Sequence, residues 1–84
     1  MAYATDRLMA RIEWCHEQKM HTQGQREAEE WHAEEDGLRD ALLDEDHSNR
    51  YRFRLPAAYK RYLIGLQDGR DMLRVDEVGR QFRH

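Results

Sequence analysis

The feature that most limits the fold is a proline-free stretch, residues 5–43, made mostly of strong helix formers. Large apolar side chains recur in this stretch at intervals of 11 residues, at Met9, Met20, Trp31 and Leu42, and the positions between them are filled by Ile12, His16, Ala28 and Leu38. Eleven residues complete three turns at about 3.67 residues per turn, close to the period of an α-helix. The spacing therefore predicts one apolar stripe along one face of a helix.

Gly24 is the position at which this stretch could break. A glycine in a helix interior costs about 1 kcal/mol relative to alanine, and its neighbours in the sequence "TQGQ" are polar. If the helix broke at Gly24, nothing would require Met20 and Trp31 to follow the same helical period, yet their spacing does. The pattern therefore favours one helix over about residues 5–43, with two shorter helices joined near Gly24 as the alternative.

Together with the first stretch, residues 44–84 predict one small all-α domain spanning residues 1–84. Residues 44–49 are polar, and residues 50–55 alternate polar and apolar side chains, which predicts a loop and an extended arm over 44–55. Pro56 suits the first position of a helix over about 56–68, and Gly69 suits its C-terminal cap. A further short helix is predicted over about 71–82.

These lengths predict a helical homodimer. A helix over residues 5–43 would be about 58 Å long, whereas one over 56–68 would be about 20 Å. The short helices could not cover the long stripe, so the part that carries Met20 and Trp31 would stay exposed. Such an apolar surface is expected to bind another chain, most simply a second copy.

Charge is divided unevenly between the two halves of the chain. Residues 1–49 hold five Lys or Arg and thirteen Asp or Glu, a net charge of −8, whereas residues 50–84 hold nine and four, a net charge of +5. The basic half opens with "RYRFRL", residues 50–55. Our favoured interpretation is that Tyr51, Phe53 and Leu55 face the core while the arginines pair with carboxylates of residues 28–36 or of a partner.

A nucleic-acid-binding regulator is the alternative interpretation of the same segment. Arg52 and Arg54 would contact phosphates, and Tyr51 and Phe53 would stack on bases, as in proteins that bind single strands. The isoelectric point of about 5.9 argues against it, since nucleic-acid-binding domains are usually basic overall.

A second alternative is a helical metal-binding bundle. Glu-x-x-His occurs twice, at Glu13 and His16 and at Glu29 and His32. On a helix this spacing places both side chains on one face, as in di-iron carboxylate bundles. Carboxylates and histidines that pair on a solvated face are the simpler explanation in a chain so rich in glutamate, so no metal and no other cofactor is expected.

Enzymatic and membrane functions are not expected. No glycine-rich phosphate loop is present, Ser48 is the only serine and Cys15 the only cysteine, so no pattern of a nucleophile with its base stands out. The longest uncharged apolar run, residues 62–66, is far too short to cross a bilayer. With no apolar block typical of a secretion signal near the N-terminus, we expect a cytoplasmic protein.

The chain is therefore predicted to be a non-enzymatic protein–protein interaction module, a small inhibitor or regulator of another protein. Compact, charge-rich chains without catalytic groups are common among phage and mobile-element proteins that act on host machinery, and the assignment rests on that analogy. The candidate partner-binding residues combine the apolar stripe with the basic arm: Met20, Trp31, Tyr51, Arg52, Phe53 and Arg54.

Overall fold

In the computed structural model, the backbone is described for residues 3–81 and the side chains for residues 5–74. Four α-helices account for the regular structure of this part, which confirms the all-α class: α1 Tyr3–His21, α2 Gln25–Leu43, α3 Ser48–Tyr51 and α4 Pro56–Gln81. Helix α2 lies in the middle and packs against both α1 and α4. None of these helices has a run of apolar residues long enough to cross a bilayer.

The prediction of one helix over residues 5–43 is wrong, because the chain reverses direction at residues 22–24. Gly24 has an extended backbone (φ −92°, ψ 128°), and its carbonyl accepts the first hydrogen bond of α2, from the Ala28 amide at 2.9 Å. The two helices are antiparallel, since Cys15 contacts Glu34 while the later residue Lys19 contacts the earlier residue His32.

Within α1, the predicted apolar stripe coincides with the buried face only at Ile12. That face consists of Leu8, Ile12 and Cys15, which pack with Leu38 of α2, whereas Met9 and Met20 are exposed. Folding back at Gly24 covers α1 within the same chain, so the uncovered stripe that predicted a dimer is not formed. Self-association stays a prediction, and the molar mass in solution is its test.

Helices α2 and α4 cross at very short range through Gly37, Gly65 and Gly69, which we call the glycine crossing. A Cβ atom added at Gly65 would overlap the Glu34 carbonyl oxygen of α2 and lie 3.0 Å from its carbon. One added at Gly37 would lie 2.6 Å from the Leu66 amide nitrogen. Only glycine allows backbones to approach this closely, so these residues set the separation of the two helices.

Gly69 does not cap a helix, and the predicted division of the C-terminal region into helices over 56–68 and 71–82 is wrong. Helix α4 continues through Gly69 to Gln81. A Cβ atom at Gly69 would lie 2.5 Å from the Ala41 Cβ, so this glycine serves packing against α2. Residue 82, the last of the helix predicted over 71–82, lies outside the described part of the chain.

The predicted extended arm is a short helix and a turn instead. Asp44 ends α2 in the left-handed region (φ 55°), and α3 begins four residues later at Ser48. We call residues 52–55, between α3 and α4, the RFRL turn. Because this segment is not a strand, its alternating side chains do not share a face. The prediction that Tyr51 and Phe53 both face the core rested on that alternation and is wrong.

Candidate functional site

Hydrogen bonds along the backbone order the connection between α2 and α4. An Asp46 carboxylate oxygen accepts a hydrogen bond from the Ser48 amide at 2.9 Å, and bonds from Ser48 lower the pKa of Asp46 below its ordinary value. The amides of Arg52 and Arg54 donate to the carbonyls of Ser48 and Tyr51, each at 3.0 Å. The RFRL turn is therefore held in a defined conformation by paired backbone groups.

Tyr51 anchors the RFRL turn to the core. Its side chain is 5% exposed, and its ring stacks on that of Tyr62 with centroids 4.8 Å apart. Its hydroxyl donates a hydrogen bond to an Asp36 carboxylate oxygen. Burial, reinforced by this bond, raises the pKa of Tyr51 well above its ordinary value, so the hydroxyl remains protonated and fixed.

Phe53, in contrast to Tyr51, is exposed to solvent. It is 90% exposed, more than any other large apolar side chain in the described part of the molecule. The prediction that Phe53 and Leu55 close the core is wrong, since Leu55 is exposed as well. The turn therefore presents an aromatic ring and an aliphatic side chain to the surroundings.

The arginines of the segment are not neutralised by the acidic half of the chain. Within the described side chains, no carboxylate forms an ion pair with Arg50, Arg52 or Arg54. The guanidinium of Arg54 lies over the Tyr51 ring, 5.3 Å from its centroid. The predicted pairing of these arginines with residues 28–36 is therefore not formed in the described part of the chain.

A groove with a volume of about 590 Å³ lies beside the turn. Its apolar lining includes Ala28, Leu55 and Ala58, and its charged lining includes Lys19, Arg54 and Glu29. A second groove of about 290 Å³, which shares Tyr51, His32 and Arg54 with the first, is lined further by basic and acidic side chains: Arg39, Arg50, His47, Asp36 and Asp40. The RFRL turn and these grooves form one continuous candidate binding surface.

Of the predicted partner-binding residues, Tyr51 and Arg54 line these grooves, whereas Arg52, Phe53, Met20 and Trp31 do not. Met20 is 67% exposed near the end of α1. Trp31 is half-buried and packs edge-on against Trp14, with ring centroids 5.2 Å apart, while the Arg61 guanidinium lies 4.2 Å from its ring centroid. Trp31 therefore joins α1, α2 and α4 rather than lining an open stripe.

The residues of the Glu-x-x-His alternative, Glu13, His16, Glu29 and His32, do not form a metal-ligand cluster among the described side chains. His16 Nδ1 lies 3.2 Å from a Glu35 oxygen, and His32 Nε2 lies 3.4 Å from an Asp36 oxygen. The two histidines thus lie beside separate carboxylates of α2, of which Glu35 is buried and Asp36 is one-third exposed.

Buried carboxylates of α2 organise a polar network that the sequence did not reveal. Glu34 contacts Arg11 of α1 at 3.6 Å and Arg61 of α4 at 3.7 Å, and it accepts a hydrogen bond from the Cys15 thiol at 3.0 Å. Burial and then Glu34 raise the pKa of Cys15 to about 12. The Cys15 thiol therefore stays protonated. Because only the thiolate is nucleophilic, Cys15 is an unreactive core residue.

No protein family, curated protein or solved structure matches this chain.

Proposed function

We propose that this chain is a non-enzymatic module that binds an acidic segment of a partner protein through the RFRL turn, and that it regulates the partner by occupying that segment. The observation that carries the proposal is Phe53, which is 90% exposed between two arginines that have no carboxylate partner in the described part of the chain. Aromatic residues and arginine dominate the energetic centres of protein interfaces.

The rigidity of the turn supports this assignment. Ordering a flexible loop on association costs free energy, whereas here the Arg52 and Arg54 amides are already bonded and Tyr51 is fixed in the core. The exposed side chains are thus presented on a backbone that needs little rearrangement. A preordered surface of this kind favours recognition of a defined partner.

The chemistry of the surface indicates what the partner segment contains. The groove beside the turn has an apolar lining from Ala28, Leu55 and Ala58, and its charged lining consists of the cations Lys19 and Arg54 and one carboxylate, Glu29. An apolar side chain of the partner would fit against the alanines and Leu55. Carboxylates next to it would face Lys19, Arg54 and Arg52. An acidic peptide with one large apolar residue would complement these apolar and basic side chains.

A fluorescence-anisotropy panel tests the proposal. It would contain labelled acidic peptides that carry Leu, Phe or Trp at one position, basic peptides of equal length, and a single-stranded oligonucleotide. We expect acidic peptides to bind in preference, and Phe53→Ala and Arg52→Glu to weaken binding by about tenfold or more, as is usual for residues at the centre of an interface.

Arg7→Glu is the matched control, because it makes the same charge change at an exposed arginine near the start of α1. It is expected to leave specific peptide binding nearly unchanged. Equal losses in Arg7→Glu and Arg52→Glu would reduce the effect to net charge and overturn the proposal. Oligonucleotide binding that is lost in Phe53→Ala would instead establish the nucleic-acid alternative.

A further inference from the structure

The connection that leads from α2 into α3 turns back on the end of α2. Asp44 adopts a left-handed conformation (φ 55°), and the Glu45 amide donates to the Asp40 carbonyl at 2.7 Å. As a result, the side chains of Asp40, Glu45 and His47 offer ligand atoms that all lie within 4.8 Å of one another. Two carboxylates and an imidazole thus converge from 8 consecutive residues, 40–47.

The distances suit a shared ion. His47 Nδ1 lies 3.0 Å from each oxygen of Asp40 and 3.8 Å from a Glu45 oxygen. Metal–ligand bonds of about 2.0–2.2 Å place neighbouring ligand atoms roughly 3–3.5 Å apart. Only small side-chain movements would therefore bring the three groups onto one ion.

Asp40 is held as a metal-binding carboxylate requires. It is 8% exposed, and one of its oxygens accepts hydrogen bonds from the Tyr62 hydroxyl and, at 3.3 Å, from the His47 amide. Such supporting donors orient ligands in metal sites. Glu45, in contrast, has an exposed side chain, so an ion and its remaining water ligands could reach the site from solvent.

We propose that Asp40, Glu45 and His47 form a binding site for a divalent first-row transition metal, with Zn²⁺ as the best match. An imidazole beside two carboxylates favours such metals over Mg²⁺ and Ca²⁺, which prefer oxygen ligands alone. Nδ1 of His47 would bind the ion in place of its hydrogen bond to Asp40, leaving the ring proton on Nε2. Bound metal would fasten the end of α2 to the start of α3.

Isothermal titration of the untagged, chelator-treated chain with ZnCl₂ tests this site independently of peptide binding. We expect one ion per chain, a rise in thermal unfolding temperature with Zn²⁺, and no comparable rise with Mg²⁺. His47→Ala and Glu45→Gln should each weaken Zn²⁺ binding by about tenfold or more, since each removes one of three protein ligands. Glu45→Gln is not expected to disturb the fold, because that side chain is exposed.

His32→Ala is the control, because His32 also lies beside a carboxylate, Asp36, but outside the cluster. It should bind Zn²⁺ as the parent chain does. Co²⁺ provides a second readout through its visible absorption, whose intensity reports coordination by the protein and should fall in Glu45→Gln. Binding only at millimolar Zn²⁺, or equal affinities of the parent chain and both ligand variants, would overturn the proposal.

Discussion

At the glycine crossing, α2 and α4 meet backbone to backbone, whereas the RFRL turn that precedes α4 holds an aromatic ring out in solvent. In the first region, even one added methyl group at Gly65 would collide with α2. In the second, the Phe53 side chain is 90% exposed and buries little of its surface against the rest of the chain. The contrast separates residues that the fold requires from residues that remain available for binding.

The two tyrosines that stack on each other connect these regions. Tyr62 is fully buried beside the glycine crossing, and its hydroxyl bonds to Asp40. Tyr51 stacks on it from α3 and carries the RFRL turn on its C-terminal side. The binding surface is thus attached to the most closely packed part of the molecule, which explains how an exposed turn can be rigid.

The largest expected effect comes from breaking the glycine crossing with Gly65→Ala. The added Cβ would overlap the Glu34 backbone, so the helices must separate, and we expect a loss of about 3 kcal/mol or more in the free energy of unfolding. Urea denaturation followed by circular dichroism measures it. Gly24→Ala is the control, because its Cβ meets nothing closer than 3.9 Å and should change stability by about 1 kcal/mol at most.

A pair of compensating changes keeps the test informative if Gly65→Ala fails to fold. The Cβ added by Gly69→Ala would meet the Ala41 Cβ at 2.5 Å, so Gly69→Ala should destabilise the chain. Adding Ala41→Gly should recover part of the loss, because the two sites are directly coupled. Simple additivity of the two variants would contradict the close contact described here.

A smaller effect is expected from removing a hydroxyl at either tyrosine. Tyr62→Phe leaves the buried Asp40 carboxylate without one of its donors, and should cost about 2 kcal/mol. Tyr51→Phe removes a bond to Asp36, whose side chain is one-third exposed and can recruit water, so its cost should be nearer 1 kcal/mol. A larger cost for Tyr51→Phe than for Tyr62→Phe would show that loss of the hydroxyl is not more destabilising in the core than beside the turn.

The Cys15 thiol allows a pH test of the core. Its pKa is raised to about 12 by burial, above the value near 8.5 of a thiol in an unfolded chain. The stability that Cys15 contributes is therefore fully present below about pH 8.5 and is lost as the pH rises towards the folded pKa, by up to about 1.4 kcal/mol per pH unit. Urea denaturation at pH 8 and pH 10 measures the change.

The same pH series on Cys15→Ala isolates this contribution, because Tyr51 and Tyr62 titrate equally in both chains. The parent chain should lose more stability between pH 8 and pH 10 than the variant. Ellman's reagent should also label Cys15 at pH 8 only as the chain unfolds, since the thiol is fully buried. Labelling at the rate of a free thiol in the native state would place Cys15 outside the core.

The smallest expected effect on stability is that of Phe53→Ala. Because Phe53 has few neighbours to lose, the free energy of unfolding should change by no more than about 0.5 kcal/mol. Thermal unfolding measures it, and the anisotropy panel measures the accompanying loss of peptide binding. A destabilisation as large as that of Tyr51→Phe would mean that Phe53 belongs to the fold and not to a binding surface.

The helical class could be predicted from the sequence, because residues 5–43 and 56–81 are rich in helix formers and Pro56 marks a helix start. The turn at Gly24 was visible only as the weaker alternative. The 11-residue spacing of large side chains outweighed it, although the predicted stripe contained only Ile12 of the three residues that are buried in α1, Leu8, Ile12 and Cys15. Periodicity alone could not decide which set faced the core.

The glycine crossing could have been suspected from two small-residue spacings. Ala33, Gly37 and Ala41 recur every four residues in α2, and Gly65 and Gly69 do so in α4, a pattern that permits close helix contact. The cost of a glycine within a helix, considered at Gly24, and its use as a cap, considered at Gly69, say nothing about contact between two helices. The exposure of Phe53 could not be predicted, since it depends on whether residues 50–55 form a strand or a turn.

The glycine crossing also constrains how this chain can diverge. Solvent-facing positions and the connections between helices can change residue by residue, but a side chain at Gly37 or Gly65 would require both helices to shift at once. Distant homologues should therefore keep small residues at these spacings after overall sequence identity has faded. A search built on that spacing, with helix lengths left free, would recover them where similarity across the whole chain does not.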